Sequence, residues 1–429
     1  MKELVVNLNT GLHGELSVPG DKSISHRSVI LSSISKGTSH IHHFLASDDC
    51  ISTINAFRKM GVRIDLAGDE LTVEGVGLDG LSKPDTKLDM GNSGTTTRLL
   101  SGLLAAQKFT TNLIGDDSLS KRPMKRVSQP LSVMGTRIET TDGHLPMTIN
   151  PGHIKAVKYE LPMASAQVKS AIILAALNSN EDSVVIEPQV TRNHTETMLN
   201  QFGDDVIERH GDEIIVHHQP ELTAQDINVP GDISSAAFFL VAATLVPNSH
   251  IILKNVGINP TRTGILDVLI QMGANIKILN QTNGSEPAAD IEVTYTPELK
   301  PIDVNEERIP LMIDELPLVA LLESRANGHS TITGAEELRF KETDRIKTVV
   351  EEFQKIGIQI EELPNGFSID GSKDWQVVNA SLDSHGDHRI GMTLAVSALL
   401  LDTDVQMNGE DAISISYPQF FAHLKHLSD

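Results

Sequence analysis

The phrase Val18-Pro19-Gly20-Asp21 returns as Val229-Pro230-Gly231-Asp232, about half of the 429-residue chain later, and each copy runs on into small and apolar residues. A duplication of this kind constrains the fold more than any composition, because one sort of unit must be built twice. The copies differ in charge: Lys22, His26 and Arg27 stand where the second has Ile233, Ala237 and Phe238. Shared residues explain a scaffold, and the added charges point to a site in the first copy.

Each half repeats again. Further helix-like segments open at Met90-Gly91-Asn92-Ser93-Gly94, Pro162-Met163-Ala164-Ser165-Ala166-Gln167, Met312-Ile313-Asp314-Glu315 and Ser384-His385-Gly386-Asp387-His388-Arg389. The first five units continue with an amphipathic stretch ending at Gly61, Gly135, Gly203, Gly273 or Gly357, a period of about seventy residues. Glycine there predicts a left-handed helix stop, and Gly68-Asp69 between residues 62–66 and 71–74 predicts a hairpin. The sixth unit breaks off near Phe421 without its hairpin, which residues 4–8 and 15–18 are expected to supply. Apolar runs such as Ile172-Ile173-Leu174-Ala175-Ala176 suit helices buried on most sides. The expectation is therefore an α/β chain of two globes, helices inside and sheets outside, crossed twice near residues 18 and 229. The domains are placed at 19–228 and at 1–18 plus 229–429.

Lys and Arg number 35 against 57 Asp and Glu, a net charge of −22, which argues against nonspecific nucleic-acid binding. A charged-then-apolar leader and an apolar run of the ~18 residues a membrane span needs are both missing, so a cytoplasmic chain with no membrane partner is expected. The single Cys50 excludes an internal disulfide framework and a Cys-based zinc site, and reads as a buried hydrophobe. His40, His42 and His43 are weak metal candidates, so no metal is expected.

Against this acidic background, cations gather with Ser, Thr and Gly at Lys22–Arg27, at Gly94-Thr95-Thr96-Thr97-Arg98, at Lys121-Arg122-Pro123-Met124-Lys125-Arg126, at Lys341-Glu342-Thr343-Asp344-Arg345 and at Arg389. Several fall at predicted helix N-termini, where free N–H groups and the dipole favour anions. Together they read as a site for phosphate or carboxylate. Gly20-Asp21-Lys22-Ser23 ends like a nucleotide-binding loop but lacks its first glycine at the required spacing, so the anion need not be ATP. Asp314 and Glu342 are the candidate proton carriers, since environment can push a carboxylate toward acid work; a helix cap and a surface salt bridge are the competing readings of the two.

These motifs resemble those of the 5-enolpyruvylshikimate-3-phosphate synthases, within the enolpyruvyl transferase family. The resemblance rests on Gly20–Arg27, Gly91–Arg98, Arg122-Pro123-Met124, Ser165-Ala166-Gln167, Lys341–Arg345 and Asp387-His388-Arg389, in family order along the whole chain. It implies two domains, each of three βαβαββ units, with the active site in the cleft between them. It also implies transfer of the enolpyruvyl group of phosphoenolpyruvate to the 5-hydroxyl of shikimate 3-phosphate, on the route to chorismate and the aromatic amino acids, by a monomer without cofactor or metal.

Carried over by position, Lys22, Asn92, Gly94, Thr95, Arg122, Gln167, Arg345 and Arg389 would hold phosphoenolpyruvate. Lys22, Ser23, Arg27, Ser165, Ala166, Gln167, Arg192, Asp314 and Lys341 would hold shikimate 3-phosphate. Asp314, Glu342 and Lys22 would carry catalysis, and which of them serves which half-reaction stays open. Two polyanions meet in this reaction, so forked Arg and Lys must neutralise them first. Two positions depart from the pattern: Ile415-Ser416 precede Tyr417-Pro418 where the family usually has Lys, and Glu337 stands near a usual Asn.

Two alternatives remain. The sister enzyme acting on UDP-N-acetylglucosamine shares the architecture but carries a reactive loop Cys and a Lys-Asn pair, whereas here Cys50 lies in the wrong unit and Lys22-Ser23 replaces the pair. A noncatalytic scaffold or clamp is opposed by the negative charge.

Overall fold

Several hydroxyl residues of the buried helices are satisfied by carbonyls of the preceding turn. In helix α1 (Lys22–Ile34), Ser28 and Ser33 donate to the carbonyls of Ile24 and Val29, at 2.9 and 2.6 Å, so eleven of its thirteen residues can be buried. The computed structural model describes residues 2–8, 10–372 and 374–429. Among them the other helices are α2 (Asp48–Lys59), α3 (Gly94–Ala105), α4 (Lys125–Val133), α5 (Ala166–Ala176), α6 (His194–Phe202), α7 (Ile233–Leu245), α8 (Gly264–Met272), α9 (Leu316–Glu323), α10 (Arg345–Lys355), α11 (His388–Ala398) and α12 (Phe420–Ser428).

The chain divides into two units, Gly20–Val229 and the remainder, Met1–Pro19 with Pro230–Asp429. In the Gly20–Val229 unit, α1, α3 and α5 are almost wholly buried. Gly102 lets α3 and α5 touch, since a Cβ there would fall 2.0 Å from the carbonyl oxygen of Ala171. Three four-stranded sheets complete this unit, each with a parallel pair followed by two antiparallel strands. One runs Asp226–Asn228, Lys36–His42, Glu70–Val76, Arg63–Ala67. The other unit repeats the scheme around α7, α9 and α11, with two four-stranded sheets and one of three strands.

Edge strands are exchanged at the crossovers. His13–Leu16 leads in sequence to α1, yet it pairs in parallel with His250–Gly257, the strand after α7. Asp226–Asn228 leads to α7, yet pairs in parallel with Lys36–His42, the strand after α1. This corrects the expectation for the N-terminus: its strands do not form a hairpin for the sixth unit. Only Lys2–Glu3 joins the sixth sheet, antiparallel to Gln406–Asn408, while His13–Leu16 completes the fourth. The glycine stops hold at Gly61, Gly135, Gly273 and Gly357, all with φ between +89° and +101°. Gly203 differs, capping α6 in an extended conformation at φ −151°.

Candidate active site

In the Gly20–Val229 unit the predicted residues gather at three helix N-termini. Asp21 caps α1 by accepting from the Ile24 N–H at 2.9 Å, which places Lys22 at the first helical position. The Lys22 ammonium is paired with Asp49, a nearly buried carboxylate in the first turn of α2. Ser93 caps α3 through the Thr96 N–H at 3.1 Å, and Ser165 caps α5 through the Val168 N–H at 3.4 Å. The positive ends of both helices thus lie at Gly94-Thr95 and Ala166-Gln167.

Side chains tie these ends together. Gln167 donates to the Thr95 hydroxyl at 3.0 Å and accepts from Arg98 at 2.5 Å. Arg122 donates to Asn92 at 2.8 Å, and Asn92 donates to Asp116 at 2.7 Å. A methyl on Gly94 would meet Arg98 Nη1 at 3.1 Å and Arg122 Nη1 at 3.3 Å, so two guanidinium groups converge over the start of α3. Arg27 turns inward and is 4% exposed: it donates to the Thr195 and Ser170 hydroxyls at 2.7 and 2.9 Å and to the Ser23 carbonyl at 3.0 Å. It braces α1, α5 and α6. Arg192 is half-buried just before Asn193, the N-cap of α6.

Behind Lys22 lies His26, fully buried, its Nδ1 2.7 Å from the Thr53 hydroxyl and its Nε2 without a partner. Burial, aided by Lys22 and Arg27, pushes its pKa down to about 3, so it is neutral at any ordinary pH. Thr53 continues to Thr96 and then Ser93, each step 2.7 Å, linking α1, α2 and the cap of α3.

The other unit concentrates carboxylates around one guanidinium. Arg345, at the start of α10 and 1% exposed, reaches Asp387 at 2.8 Å, Glu342 at 2.6 Å and Asp314 at 3.3 Å. Burial alone would lower its pKa, but Asp387, Glu342 and Asp314 more than reverse this and hold it above its ordinary value. Lys341 lies 3.5 Å from Asp314. Asp387 also caps α11 by accepting from the Arg389 N–H at 2.9 Å and takes a bond from the Thr343 hydroxyl at 3.2 Å. Arg389 reaches buried Glu315 at 3.5 Å. The Asp314, Lys341, Glu342 and Arg345 positions therefore form one cluster, with Arg389 anchored beside it through Asp387.

Arg98, Asp49, Asp387 and Glu315 were not among the expected site residues. Arg98 and Asp387 lie inside the quoted motifs, so their signal was present; Asp49 and Glu315 gave none beyond proximity to Cys50 and Asp314. Ile415 is half-buried in a 3₁₀ turn, Glu410–Ile415, and Glu337 sits in another, Glu336–Phe340. Cys50 is buried, which pushes its thiol up to about 12 and leaves it unreactive. The histidines weighed as metal candidates have other partners: His42 meets Glu70, His43 the Val229 carbonyl and His40 the Thr72 hydroxyl. Among the described residues no group of three or more His, Cys, Asp or Glu is placed to hold a metal, and no helix is long and apolar enough to cross a membrane.

A profile of the family described as EPSP synthase (3-phosphoshikimate 1-carboxyvinyltransferase) matches residues 6–424. The chain belongs to the EPSP synthase family. It is 52% identical over 429 residues to the 3-phosphoshikimate 1-carboxyvinyltransferase of Lactiplantibacillus plantarum, covering 100% of this chain and 99% of that one. The Bacillus subtilis enzyme of the same name is 47% identical over 420 residues, with 97% of both covered. A solved EPSP synthase from Acinetobacter baumannii superposes with a TM-score of 0.88 at 41% identity, over 99% of this chain and 97% of that chain. The enolpyruvyl transferase NikO from Streptomyces tendae, at 16% identity and a TM-score of 0.80 over 99% and 97%, shares the fold. The expected α/β enolpyruvyl transferase architecture, with buried helices and outer sheets, is thus the one observed.

Proposed function

We propose that the two residue clusters act on one pair of substrates, closing on them in a cleft between domains, and that the roles expected from the motifs apply. As a member of the EPSP synthase family the chain is an enzyme, a 3-phosphoshikimate 1-carboxyvinyltransferase of the shikimate pathway. Lys22, Arg122, Arg345 and Arg389 neutralise phosphoenolpyruvate, with Asn92, Gly94, Thr95 and Gln167 beside it. Ser23, Ser165, Ala166, Gln167, Arg192, Asp314 and Lys341, with Lys22 and the charge of Arg27, hold shikimate 3-phosphate. A cytoplasmic monomer acting without metal or cofactor is part of the same reading.

The 5-hydroxyl oxygen bonds to C2 of phosphoenolpyruvate while C3 takes a proton, giving a tetrahedral intermediate with a methyl group. That intermediate then returns a C3 proton, the C2–O bond to phosphate breaks, and the double bond re-forms. Asp314 takes the hydroxyl proton, Glu342 exchanges the C3 proton, and Lys22 stabilises the departing phosphate oxygen. The observation that carries this reading is the sharing of the Arg345 guanidinium by Glu342 and Asp314. When the carboxylate of phosphoenolpyruvate takes up Arg345, Glu342 loses its counter-charge and gains proton affinity, as an acid toward C3 requires.

Phosphate release tests the assignment. It is expected with phosphoenolpyruvate and shikimate 3-phosphate together, and absent with UDP-N-acetylglucosamine as acceptor. Release with the nucleotide sugar, or retention on DNA without any release, would overturn it in favour of the sister activity or of a scaffold.

A further inference from the structure

A buried ion network in the Gly20–Val229 unit takes no part in the chemistry above. Lys169 on α5 is 0% exposed, and its ammonium lies 2.7 Å from Glu187 and 2.7 Å from Glu196. Glu187 is also buried, and a second cation, Arg209, reaches its other oxygen at 2.8 Å. Burial alone would push the Glu187 carboxyl up, yet the charge of Lys169 and bonds from Lys169, Thr191 and Arg209 hold it below its ordinary value. Glu187 is therefore ionised at neutral pH. Two carboxylates and an ammonium buried together, with Arg209 reaching in from the surface, are costly to desolvate, and apolar residues of similar volume would hold a core at least as well. Its geometry shows what the charges hold in place.

Glu187 directly follows the strand Ser183–Ile186, and α6 begins at His194. Every polar group of Thr191, in the segment between, is taken. Its N–H donates to Glu187 at 2.9 Å, its hydroxyl donates to the same oxygen at 2.5 Å, and its carbonyl accepts from Lys169 at 3.4 Å. Four residues on, the Thr195 hydroxyl accepts from Arg27 at 2.7 Å and lies 2.7 Å from Ser170, the neighbour of Lys169 on α5. The segment is thus pinned on both sides of Arg192.

We infer that Lys169, Glu187 and Thr191 are positioning residues for Arg192, presetting its backbone so that its guanidinium meets the phosphate of shikimate 3-phosphate without an ordering cost. The inference rests on the assignment of Arg192 to that substrate. Preorganisation of this kind appears as affinity for one substrate and leaves the chemical step alone.

Thr191→Val removes the hydroxyl bond and keeps shape, N–H and carbonyl. The KM for shikimate 3-phosphate rises by about tenfold, the scale of one hydrogen bond to a charged group, while kcat and the KM for phosphoenolpyruvate stay within about twofold; Thr191→Ser, which keeps the hydroxyl, restores the KM. Arg192→Ala alone raises the same KM at least as much, and adding Thr191→Val to it changes nothing further. Multiplying effects in the double variant would overturn the inference, as would an unchanged KM in Thr191→Val, because Thr191 would then serve stability alone. An unchanged KM in Arg192→Ala would instead defeat the assignment of Arg192 to the substrate, and the positioning role with it.

Discussion

The two copies of the Val-Pro-Gly-Asp phrase open helices that have gone opposite ways. Both aspartates cap: Asp21 accepts from Ile24 at 2.9 Å and Asp232 from Ser234 at 2.8 Å. Beyond the cap, α1 carries Lys22, His26 and Arg27, each answered by Asp49, Thr53 or the Thr195 and Ser170 hydroxyls. In α7 all thirteen residues are buried, and Phe238 and Phe239 pack against Phe420 and Tyr417 with ring centroids 5.7–6.0 Å apart. One backbone device therefore serves a charged site in one unit and an aromatic core in the other. The second unit gathers its charges elsewhere, at the openings of α10 and α11, where carboxylates surround Arg345. Duplication supplies rigid helix ends, and a few substitutions decide what each end does.

Separating chemistry from scaffold gives the largest expected effect. Asp314→Asn and Glu342→Gln keep shape and remove proton exchange, so kcat should fall by roughly 10²–10⁴. Arg345 keeps its bond to Asp387 in both variants, so substrate dissociation constants measured by calorimetry should change far less. Near-normal turnover in either would return that residue to the role of a salt-bridge partner. On the scaffold side, Phe239→Ala should cost about 3–5 kcal/mol in denaturant unfolding, as for other buried aromatics, with both KM values intact in the folded protein. A KM change there would break the division between the two helices.

Gly94→Ala probes the shelf of cations more gently. The added methyl displaces the ends of Arg98 and Arg122 by tenths of an ångström, so the KM for phosphoenolpyruvate should rise about tenfold, roughly 1.4 kcal/mol. Shikimate 3-phosphate binding should hold; equal loss for both would mean that the backbone of α3 itself had moved.

The smallest effect is a pH slope. His26 binds its proton with a pKa of about 3 in the fold against an ordinary 6.5, so its contribution to stability is full above 6.5 and is lost as pH falls toward 3. His26→Gln should flatten the decline of melting temperature over that window. Substitutions in α7, which has no such group, should leave the slope unchanged.

Much of this was legible in the sequence because it is local. Helix openings near Asp21, Ser93, Ser165 and Asp387, and stops at Gly61, Gly135, Gly273 and Gly357, depend on a few neighbouring residues. The cationic motifs were legible for the same reason, as runs beside those openings. Strand partnership is not local: nothing near His13–Leu16 says that it pairs with His250–Gly257 rather than folding back on Lys2–Glu3. Nor does Lys169 advertise partners 18 and 27 residues away at Glu187 and Glu196, or Arg27 its partners Ser170 and Thr195, 143 and 168 residues away. Gly203 breaks the pattern, its backbone extended at φ −151° rather than left-handed.

Addition followed by elimination is most directly tested in D₂O. Protonation at C3 makes a methyl group from which any of the hydrogens can be lost, so the enolpyruvyl product should carry solvent deuterium at C3 when examined by NMR or mass spectrometry. Glu342→Gln should slow turnover and that exchange together. Product formed at the normal rate with no deuterium at C3 would contradict a tetrahedral intermediate and the role assigned to Glu342.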